Sequence, residues 1–480
     1  MNTYEEKNAL LLEEFKAIAS IPRGSYNTKA ISDYCKDVAK QAGAEVYQDA
    51  LNNLIITIPP SPGYETSSPV ILQGHLDMVC EKTPDSEHDF LKDGITLIFD
   101  GDWLHADNTT LGADNGGAIA MGLALLKDPS ALHPKVYLVF TTEEEVGMEG
   151  ALGIDLSPAQ DATMLINLDS GEEGVFITGC AGSVALKFSL PFVRTEAQGL
   201  HLQLEVSGLT GGHSGLEIHH QGANASILTA TVLSLLKTPY HLISINGGTK
   251  DNVITTEALA ELVIQPKDLS AFQEEVQSLE KSMQALYTTR DPDLKFDLKI
   301  LEEGRFAVLP QEDAKRLAFF TTHAPNGVQK MNASIPGMVD TSLNLGITKT
   351  EADRVLWHYH PRFSQSVEKD ALIQKMQNLA DYLGIEDEVL GCSPGWAYRE
   401  DSTLRNLMTE VYQNLFDITP QITTIHAGLE CGILLQKLPH LDCISIGPDM
   451  EAIHSAKERL HLPSFYRTYH FLRKTLEALR

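Results

Sequence analysis

The sequence VILQGHLDMV, from Val70 to Val79, decides the fold, because an apolar run ends there in a histidine and an aspartate. An uninterrupted apolar run of this length is typical of a strand buried on both faces of a parallel sheet. In open α/β sheets the ligand crevice lies outside the carboxyl ends of the strands. We therefore expect His75 and Asp77 to project into such a crevice, where an imidazole binds metals and a carboxylate orients that imidazole or the substrate. Taken alone, the motif also fits a plain polar strand end.

Size and composition restrict the class of protein. A chain of 480 residues with 43% hydrophobic and 21% charged residues predicts a globular protein of more than one domain. The net charge of −28 argues against nucleic-acid or membrane partners and suits divalent cations, although solubility alone also explains it. No apolar run approaches the roughly 18–20 residues that span a bilayer, and the N-terminal segment lacks a secretory signal, so the expected location is cytoplasmic.

Further ligand-type residues follow predicted strands or begin a predicted helix. The buried-type strand at 135–142 leads into Glu143, Glu144 and Glu145, and the strand at 163–168 leads into Asp169. A helix running to about residue 127 opens with Asp114, and the strand at 441–448 leads into a loop with His454. Two of these patterns also have simpler interpretations. Asp114 fits a helix N-cap, and the three glutamates fit a solvated acidic turn.

Taken together, these ends supply two imidazoles and three carboxylates, which match a two-zinc site. Calcium or magnesium would not call for the histidines. Glu144, adjacent to a proposed ligand, is then placed to act as a general base on water, with Asp77 hydrogen-bonded to His75. The proposed ligands are His75, Asp114, Glu145, Asp169 and His454.

The sequence pattern changes in the middle third of the chain, from continuous apolar strands to strands of alternating polarity. This change predicts three segments. We expect an α/β fold with a mostly parallel central sheet, built from residues 1–184 and 393–480. Residues 185–392 form an inserted α+β domain, in which helices at 215–236, 268–288 and 366–383 alternate with strands. The order of elements indicates two strand–helix units in succession.

Seven motifs carry a resemblance to a known family. In chain order they resemble the M20 family of di-zinc peptidases and amidohydrolases, most closely its aminoacyl-histidine dipeptidase branch, over nearly the whole chain. The motifs are GHLDMV (74–79), GADNGGA (112–118), TTEEEVGMEG (141–150), INLDS (166–170), GLTGGHSG (208–215), HAGLECG (426–432) and AIHSAKE (452–458).

The resemblance implies a role for each metal-site residue. Asp114 would bridge two Zn²⁺ ions per chain, for which Co²⁺ or Mn²⁺ are possible substitutes. His75 and Asp169 would complete one ion's ligands, and Glu145 and His454 the other's. Glu144 would be the catalytic base and Asp77 the assisting aspartate.

The resemblance also implies that the insertion is a lid and dimerisation domain of a homodimer. His213 would bind the substrate or the developing oxyanion, with Asn252 in the same neighbourhood. A turn residue held by local hydrogen bonds is the simpler interpretation of His213. Relatives hold the substrate carboxylate with a lid arginine, which the motifs do not identify here. Arg399 is one candidate.

The favoured function is a di-zinc dipeptidase acting on Xaa-His dipeptides such as β-alanyl-histidine. An N-acyl amino acid deacylase or another short-peptide exopeptidase would use the same metal site, and the motifs do not separate these activities. A non-catalytic binding module would be expected to have lost a ligand or the base, and the sequence retains both.

Overall fold

The computed structural model describes residues 4–333, 335 and 337–480. Residues 1–3, with which the predicted segment 1–184 begins, lie outside that range. The helices are α1 (Tyr4–Ala19), α2 (Lys29–Gln41), α3 (Ala113–Lys127), α4 (Glu149–Gly153), α5 (Ala225–Leu235), α6 (Leu269–Tyr287), α7 (Gln311–His323), α8 (Ser366–Leu383), α9 (Thr403–Phe416), α10 (Glu430–Lys437) and α11 (Leu462–Ala478). Short 3₁₀ turns lie at Ser157–Ala159, Ile218–His220 and Pro266–Asp268.

The strands are β1 (Glu45–Gln48), β2 (Leu54–Ile58), β3 (Val70–His75), β4 (Leu97–Asp100), β5 (Trp103–Ala106), β6 (Val136–Thr141), β7 (Met164–Asn167), β8 (Val175–Cys180), β9 (Gly182–Pro191), β10 (Thr195–Ser207), β11 (His241–Gly247), β12 (Ala258–Ile264), β13 (Lys295–Val308), β14 (Gly327–Met331), β15 (Val339–Thr350), β16 (Arg354–Phe363), β17 (Glu386–Ser393), β18 (Gln421–Ile425), β19 (Asp442–Ser445), β20 (Met450–Glu451) and β21 (Arg459–His461).

The chain divides into two compact units. The first comprises Met1–Gly179, Tyr398–Thr424 and Leu429–Arg480, and the second comprises Cys180–Ala397 and Ile425–Gly428. The predicted insertion, 185–392, lies within the second unit.

An eight-stranded sheet in the order β1-β2-β6-β3-β7-β19-β8-β18 forms the centre of the first unit. Its middle strands are parallel: β3 pairs in parallel with β6 and β7, and β19 pairs in parallel with β7. Every residue of β3 and of β6 is buried, as their continuous apolar sequences predict. The predicted α/β class with a mostly parallel central sheet is confirmed. The carboxyl ends of the parallel strands therefore share one edge.

The second unit is built on one nine-stranded sheet with two similar halves of four strands each and a ninth strand, β14, that pairs with β15. The half β13-β10-β12-β11 contains α5 and α6, and the half β15-β16-β9-β17 contains α7 and α8. Each half has the strand–helix–strand–strand–helix–strand arrangement of a split βαβ motif. The halves meet where β11 pairs with β15 at Gly247 and Thr348. The two predicted strand–helix units correspond to these halves. They are not fully successive in sequence, because β9, which belongs to the second half, precedes β10 of the first half.

The predicted helix at 215–236 was wrong in its first ten residues. The helix begins at Ala225, because the Asn224 side chain accepts hydrogen bonds from the backbone N–H groups of Ser226 and Ile227. This is the usual function of an N-cap asparagine, whose own backbone is extended. Residues 215–224 instead continue the turn predicted at GGHSG and include the short 3₁₀ segment Ile218–His220. Within the described ranges, no helix is long and apolar enough to cross a membrane.

Candidate metal centre

The parallel strands place the predicted ligands at one edge of the first unit's sheet. His75 is the last residue of β3, Glu144 and Glu145 follow the end of β6, and Asp169 lies two residues beyond β7. Gly74 allows α3 to approach this edge, since a Cβ atom there would lie 2.3 Å from the Asn115 Oδ1 atom. A close approach of helix and strand thus explains the glycine of the GHLDMV motif.

Asp114 lies between two imidazole–carboxylate pairs. Its Oδ1 atom is 3.0 Å from His75 Nε2, and its Oδ2 atom is 3.2 Å from His454 Nε2. The other oxygen close to His75 Nε2 belongs to Asp169, at 3.5 Å, and the other one close to His454 Nε2 belongs to Glu145, at 3.0 Å. The Asp114 carboxylate thus directs one oxygen to the pair of His75 and Asp169 and the other oxygen to the pair of His454 and Glu145.

The electrostatics of this cluster fit a cation. Burial lowers the pKa of His75, but the charge of Asp169 and the hydrogen bond that the ring donates to Asp114 outweigh it and raise that pKa well above its usual range. Hydrogen bonds to Asp114 and Glu145 raise the pKa of His454 to about 10. Burial raises the pKa of Asp169 to about 7. Protons on these three side chains therefore offset the negative charge of the clustered carboxylates, as a bound cation would.

One buried atom also lacks a partner. Glu145 Oε1 has no hydrogen bond to any residue that the structure describes. Ligand atoms of His75, Asp114 and Glu145 lie within 4.8 Å of one another. Imidazole nitrogen and carboxylate oxygen are the ligands of catalytic divalent metals, so the residues present fit a metal centre.

Asp77 connects His75 to the glutamates. Its carboxylate lies 3.4 Å from His75 Nδ1 and accepts hydrogen bonds from the backbone N–H groups of Glu144 (3.1 Å) and Glu145 (3.3 Å). Ser25 Oγ donates a further bond, at 2.8 Å. Asp77 is fully buried. It therefore orients the imidazole and fixes the backbone that carries the predicted base.

The neighbouring glutamates of the TTEEEVGMEG motif differ in their surroundings. Burial raises the pKa of Glu144 well above its usual range, against the charge of His75, with Asp169 adding to the increase. The Glu143 carboxylate instead accepts hydrogen bonds from Thr28 Oγ1, at 2.9 Å, and from the backbone N–H of Tyr26. Structural hydrogen bonds thus occupy Glu143, and the acidic-turn interpretation does not describe this segment.

Asp114 is not the N-cap of α3. Gly112 occupies that position in the left-handed conformation (φ 70°), and Asp114 and Asn115 have non-helical backbone angles. The segment before the helix is held by Glu458, which accepts backbone N–H bonds of 2.8–3.2 Å from four consecutive residues, Leu111 to Asp114. A buried carboxylate distant in sequence therefore sets the position of the proposed bridging residue.

Glu458 and the buried Arg23 were not among the residues predicted from the sequence. The Arg23 guanidinium donates to the backbone oxygens of Leu76 (3.0 Å), Asp77 (2.9 Å) and Gly112, and so links the segment before α3 to the HLD motif. The available signal for Glu458 was its place in AIHSAKE, four residues after His454.

Replacing Glu458 by alanine leaves four backbone N–H groups without their acceptor. Since an unsatisfied buried polar group costs about 1–3 kcal/mol, we expect the free energy of unfolding to fall by about 3 kcal/mol. Urea denaturation measures the change. The matched control is Glu451→Ala, because Glu451 is exposed and pairs with Arg459, and its change should stay within about 0.5 kcal/mol. Equal stabilities for the two variants would contradict this role of Glu458.

The second unit contains a separate cluster around His213. Its Nδ1 atom accepts backbone N–H bonds from Gly215 (3.3 Å) and Leu216 (3.2 Å). Burial, with the charge of Arg362, lowers the pKa of His213 to about 4, so the ring is neutral near pH 7 and carries its proton on Nε2. That nitrogen lies 3.3 Å from Arg362 Nη2. Two hydrogen-bond donors therefore face each other.

Each of these two donors needs an acceptor. Arg362 is 5% exposed, and its Nε atom has no hydrogen-bond partner in the described part of the chain. Anionic oxygen atoms of a ligand, such as those of a carboxylate or an oxyanion, would accept hydrogen bonds from Arg362 and from His213. Asn252 lies beside this cluster, since its backbone oxygen accepts a bond from the Ser214 N–H, at 2.9 Å.

The structure thus groups the predicted residues into two sets. The five proposed ligands, Asp77 and Glu144 lie in the first unit, and His213 and Asn252 lie in the second. Arg399 lies in the first unit, half-exposed and paired with Asp401 at 2.8 Å, which makes Arg362 the better candidate for binding a carboxylate. The signal for Arg362 was the alternation of polar residues in β16, where His358, His360 and Arg362 share a face.

Comparisons with known proteins agree with the predicted resemblance. The model of peptidase family M20/M25/M40 matches residues 71–478. The chain is 34% identical to the cytosol non-specific dipeptidase of Escherichia coli (strain K12) over 473 residues, which cover 98% of this chain and 97% of that protein.

Solved structures agree as well. The aminoacylhistidine dipeptidase of Vibrio alginolyticus matches with a TM-score of 0.90 and 31% identity, covering 98% of this chain and 96% of that one. The aminopeptidase PepT of Bacillus cereus shares the fold, with a TM-score of 0.57 and 15% identity over 98% of each chain. The chain therefore belongs to peptidase family M20/M25/M40 and is a metal-dependent peptidase.

Proposed function

We propose that the chain is a di-zinc dipeptidase that hydrolyses short peptides, with Xaa-His dipeptides as its preferred substrates. The observation that carries the proposal is the Asp114 carboxylate, whose two oxygens face two separate imidazole–carboxylate pairs. The names of the two full-length relatives, a non-specific dipeptidase and an aminoacylhistidine dipeptidase, support the substrate class.

In this proposal His75 and Asp169 would hold one ion, Glu145 and His454 would hold the other, and Asp114 would contribute to both. The chemistry that two zinc ions supply when bound is polarisation of the peptide carbonyl and a lower pKa for water. Co²⁺ or Mn²⁺ would serve with the same ligands, since nitrogen and oxygen ligands suit all three metals.

Glu144 acts as the general base. It takes the proton of the attacking water and later delivers it to the leaving amine, so the peptide C–N bond breaks without release of an amide anion. A carboxylate whose pKa is raised by burial is suited to both steps near neutral pH. Asp77 keeps the Glu144 backbone and the His75 ring in place through the bonds described above.

The cluster in the second unit binds the anionic groups of the substrate. Arg362 presents a buried guanidinium to the carboxylate at the end of the dipeptide, and the His213 Nε2–H group donates to the oxyanion that forms at the scissile carbonyl. Asn252 contributes from the adjacent loop. An N-acyl amino acid carries the same carboxylate, so deacylation is the activity that a substrate panel has to distinguish.

The metal requirement is the direct test. We expect elemental analysis of the purified protein to find two zinc-like ions per chain, chelation to abolish peptidase activity, and added Zn²⁺, Co²⁺ or Mn²⁺ to restore it. The reactivated protein should cleave Xaa-His dipeptides faster than tripeptides or N-acyl amino acids. Activity that is indifferent to chelators would refute the proposal, and a preference for N-acyl amino acids would establish the deacylase instead.

The assembly and the location are further parts of the proposal, and the homodimer is carried over from the family resemblance. We propose a homodimer in the cytoplasm, the location named for the relative from Escherichia coli. Light scattering of the purified protein tests the first statement, and fractionation of the source cells tests the second.

A further inference from the structure

Four polar side chains at the carboxyl edge of the first unit's sheet are fully buried and bonded to one another. They come from four elements: Gln73 from β3, Thr141 from β6, Asn167 from β7 and Glu430 from the first turn of α10. Each is 0% exposed. Buried polar groups cost free energy unless they are paired, and the way these are paired indicates their function.

The hydrogen bonds form a continuous chain that starts at Glu430. Its Oε2 atom accepts from Gln73 Nε2, at 2.5 Å, and from Thr141 Oγ1, at 2.6 Å. Gln73 Oε1 accepts from Asn167 Nδ2, at 2.5 Å. Asn167 Oδ1 accepts from the backbone N–H of Asp169, at 3.2 Å. One carboxyl oxygen is thus connected to the backbone of a proposed metal ligand.

The same oxygen bonds directly to two of the strands that lead to the proposed metal centre, β3 and β6, and through Gln73 it is connected to the third, β7. Gln73 lies two residues before His75, and Thr141 lies four residues before Glu145. Strand pairing positions the backbone only as far as the strand ends, where His75 pairs with Thr141. Glu145 and Asp169 lie beyond their strands, where side-chain bonds such as the one from the Asp169 N–H to Asn167 add to the remaining backbone bonds. Glu430 Oε1 has no partner among the described residues, so Oε2 alone accepts the hydrogen bonds that connect these strands.

We propose that Glu430 is a positioning residue for the metal centre. By accepting hydrogen bonds from Gln73 and Thr141, it holds the ends of β3, β6 and β7 at the spacing that the metal ligands require. The inference rests on the proposed ligand set. It assigns a function to the glutamate of the HAGLECG motif, which the proposed reaction does not use.

Zinc affinity of the metal-free protein, measured by competition with a chelating dye, tests the proposal without any peptidase assay. Substitutions behind metal ligands typically weaken binding about 10–100-fold, so Glu430→Ala should raise the zinc Kd about 10-fold. Glu430→Gln keeps an oxygen that accepts both bonds and should bind zinc nearly as tightly as the native chain.

The matched control is Glu14→Ala. Glu14 is another buried carboxylate of the first unit, on α1, with one oxygen bonded to Lys127 and the other without a partner among the described residues. It should lose thermal stability as Glu430→Ala does, with no change in zinc Kd. If Glu430→Ala does not fold, Thr141→Val, which removes one of the two donors, should weaken zinc binding in the same direction.

An unchanged zinc Kd in Glu430→Ala, or an equal loss in Glu14→Ala, would overturn the proposal. A Glu430→Gln variant as weak as Glu430→Ala would also overturn it, since charge rather than hydrogen bonding would then matter. If the native chain binds no zinc, the proposed function itself is refuted. If the native chain binds zinc and Glu430→Ala binds it equally tightly, only this inference is refuted.

Discussion

Replacing Glu144 by glutamine is expected to lower kcat by about 10²–10⁴-fold without loss of bound metal. Glutamine has the shape of glutamate but cannot take a proton from water or return one to the leaving amine. Glu144 is not one of the five proposed ligands, so the metal content of the variant should match that of the native chain. Steady-state kinetics on an Xaa-His dipeptide, with elemental analysis of the same sample, measure both quantities.

Glu143→Gln provides a control at the adjacent residue. The Glu143 carboxylate is occupied by Thr28 and by the backbone of Tyr26, so its substitution should affect stability more than kcat. Native turnover in Glu144→Gln together with a large loss in Glu143→Gln would move the general base to Glu143. A loss of metal in Glu144→Gln would instead make Glu144 a ligand.

The edge that carries the proposed ligands was predictable because each strand is encoded locally. The apolar runs before His75, Glu143 and Asp169 are long enough to form buried strands, and parallel strands end at one edge of a sheet. The sequence therefore placed these side chains together before any distance was known. The strand at 441–448 placed His454 in the same group, but its sharing of Asp114 with Glu145 depended on the resemblance, since His454 and Asp114 are separated by 340 residues.

The residues that support the metal centre were not predictable in this way. Glu458, Arg23 and Glu430 act by contacts with residues far away in the sequence, and a glutamate or arginine in a short motif does not reveal that it is buried. The same reason explains the missed Arg362. Its function follows from the His213 nitrogen that faces it, and the two residues are 149 positions apart. Local sequence patterns determine the helices and strands, whereas tertiary packing determines which side chains contact one another.

Replacing His213 by alanine is expected to lower kcat by about 10²–10³-fold, the usual cost of removing one oxyanion donor. The low pKa of His213, about 4, keeps its ring neutral from pH 5 upward, so the Nε2–H donor is available across the neutral range. Metal content should not change, because His213 lies in the second unit and is not one of the five proposed ligands. His219→Ala is the control, since that histidine is exposed on the same segment and should keep its activity within about threefold.

Arg362→Ala separates the two anionic groups of the substrate. A guanidinium that binds the ground-state carboxylate contributes about 1.5–3 kcal/mol, so its loss should raise KM about 10–100-fold with a smaller change in kcat. His213→Ala should show the opposite pattern, because an oxyanion exists only after attack on the carbonyl. Mixing inactive Glu144→Gln and His213→Ala chains then shows which subunit's histidine acts, since recovered activity requires a contribution across a dimer. If His213→Ala and Arg362→Ala both keep native kcat and KM on every dipeptide tested, the two facing donors do not bind substrate, and GGHSG is only a turn.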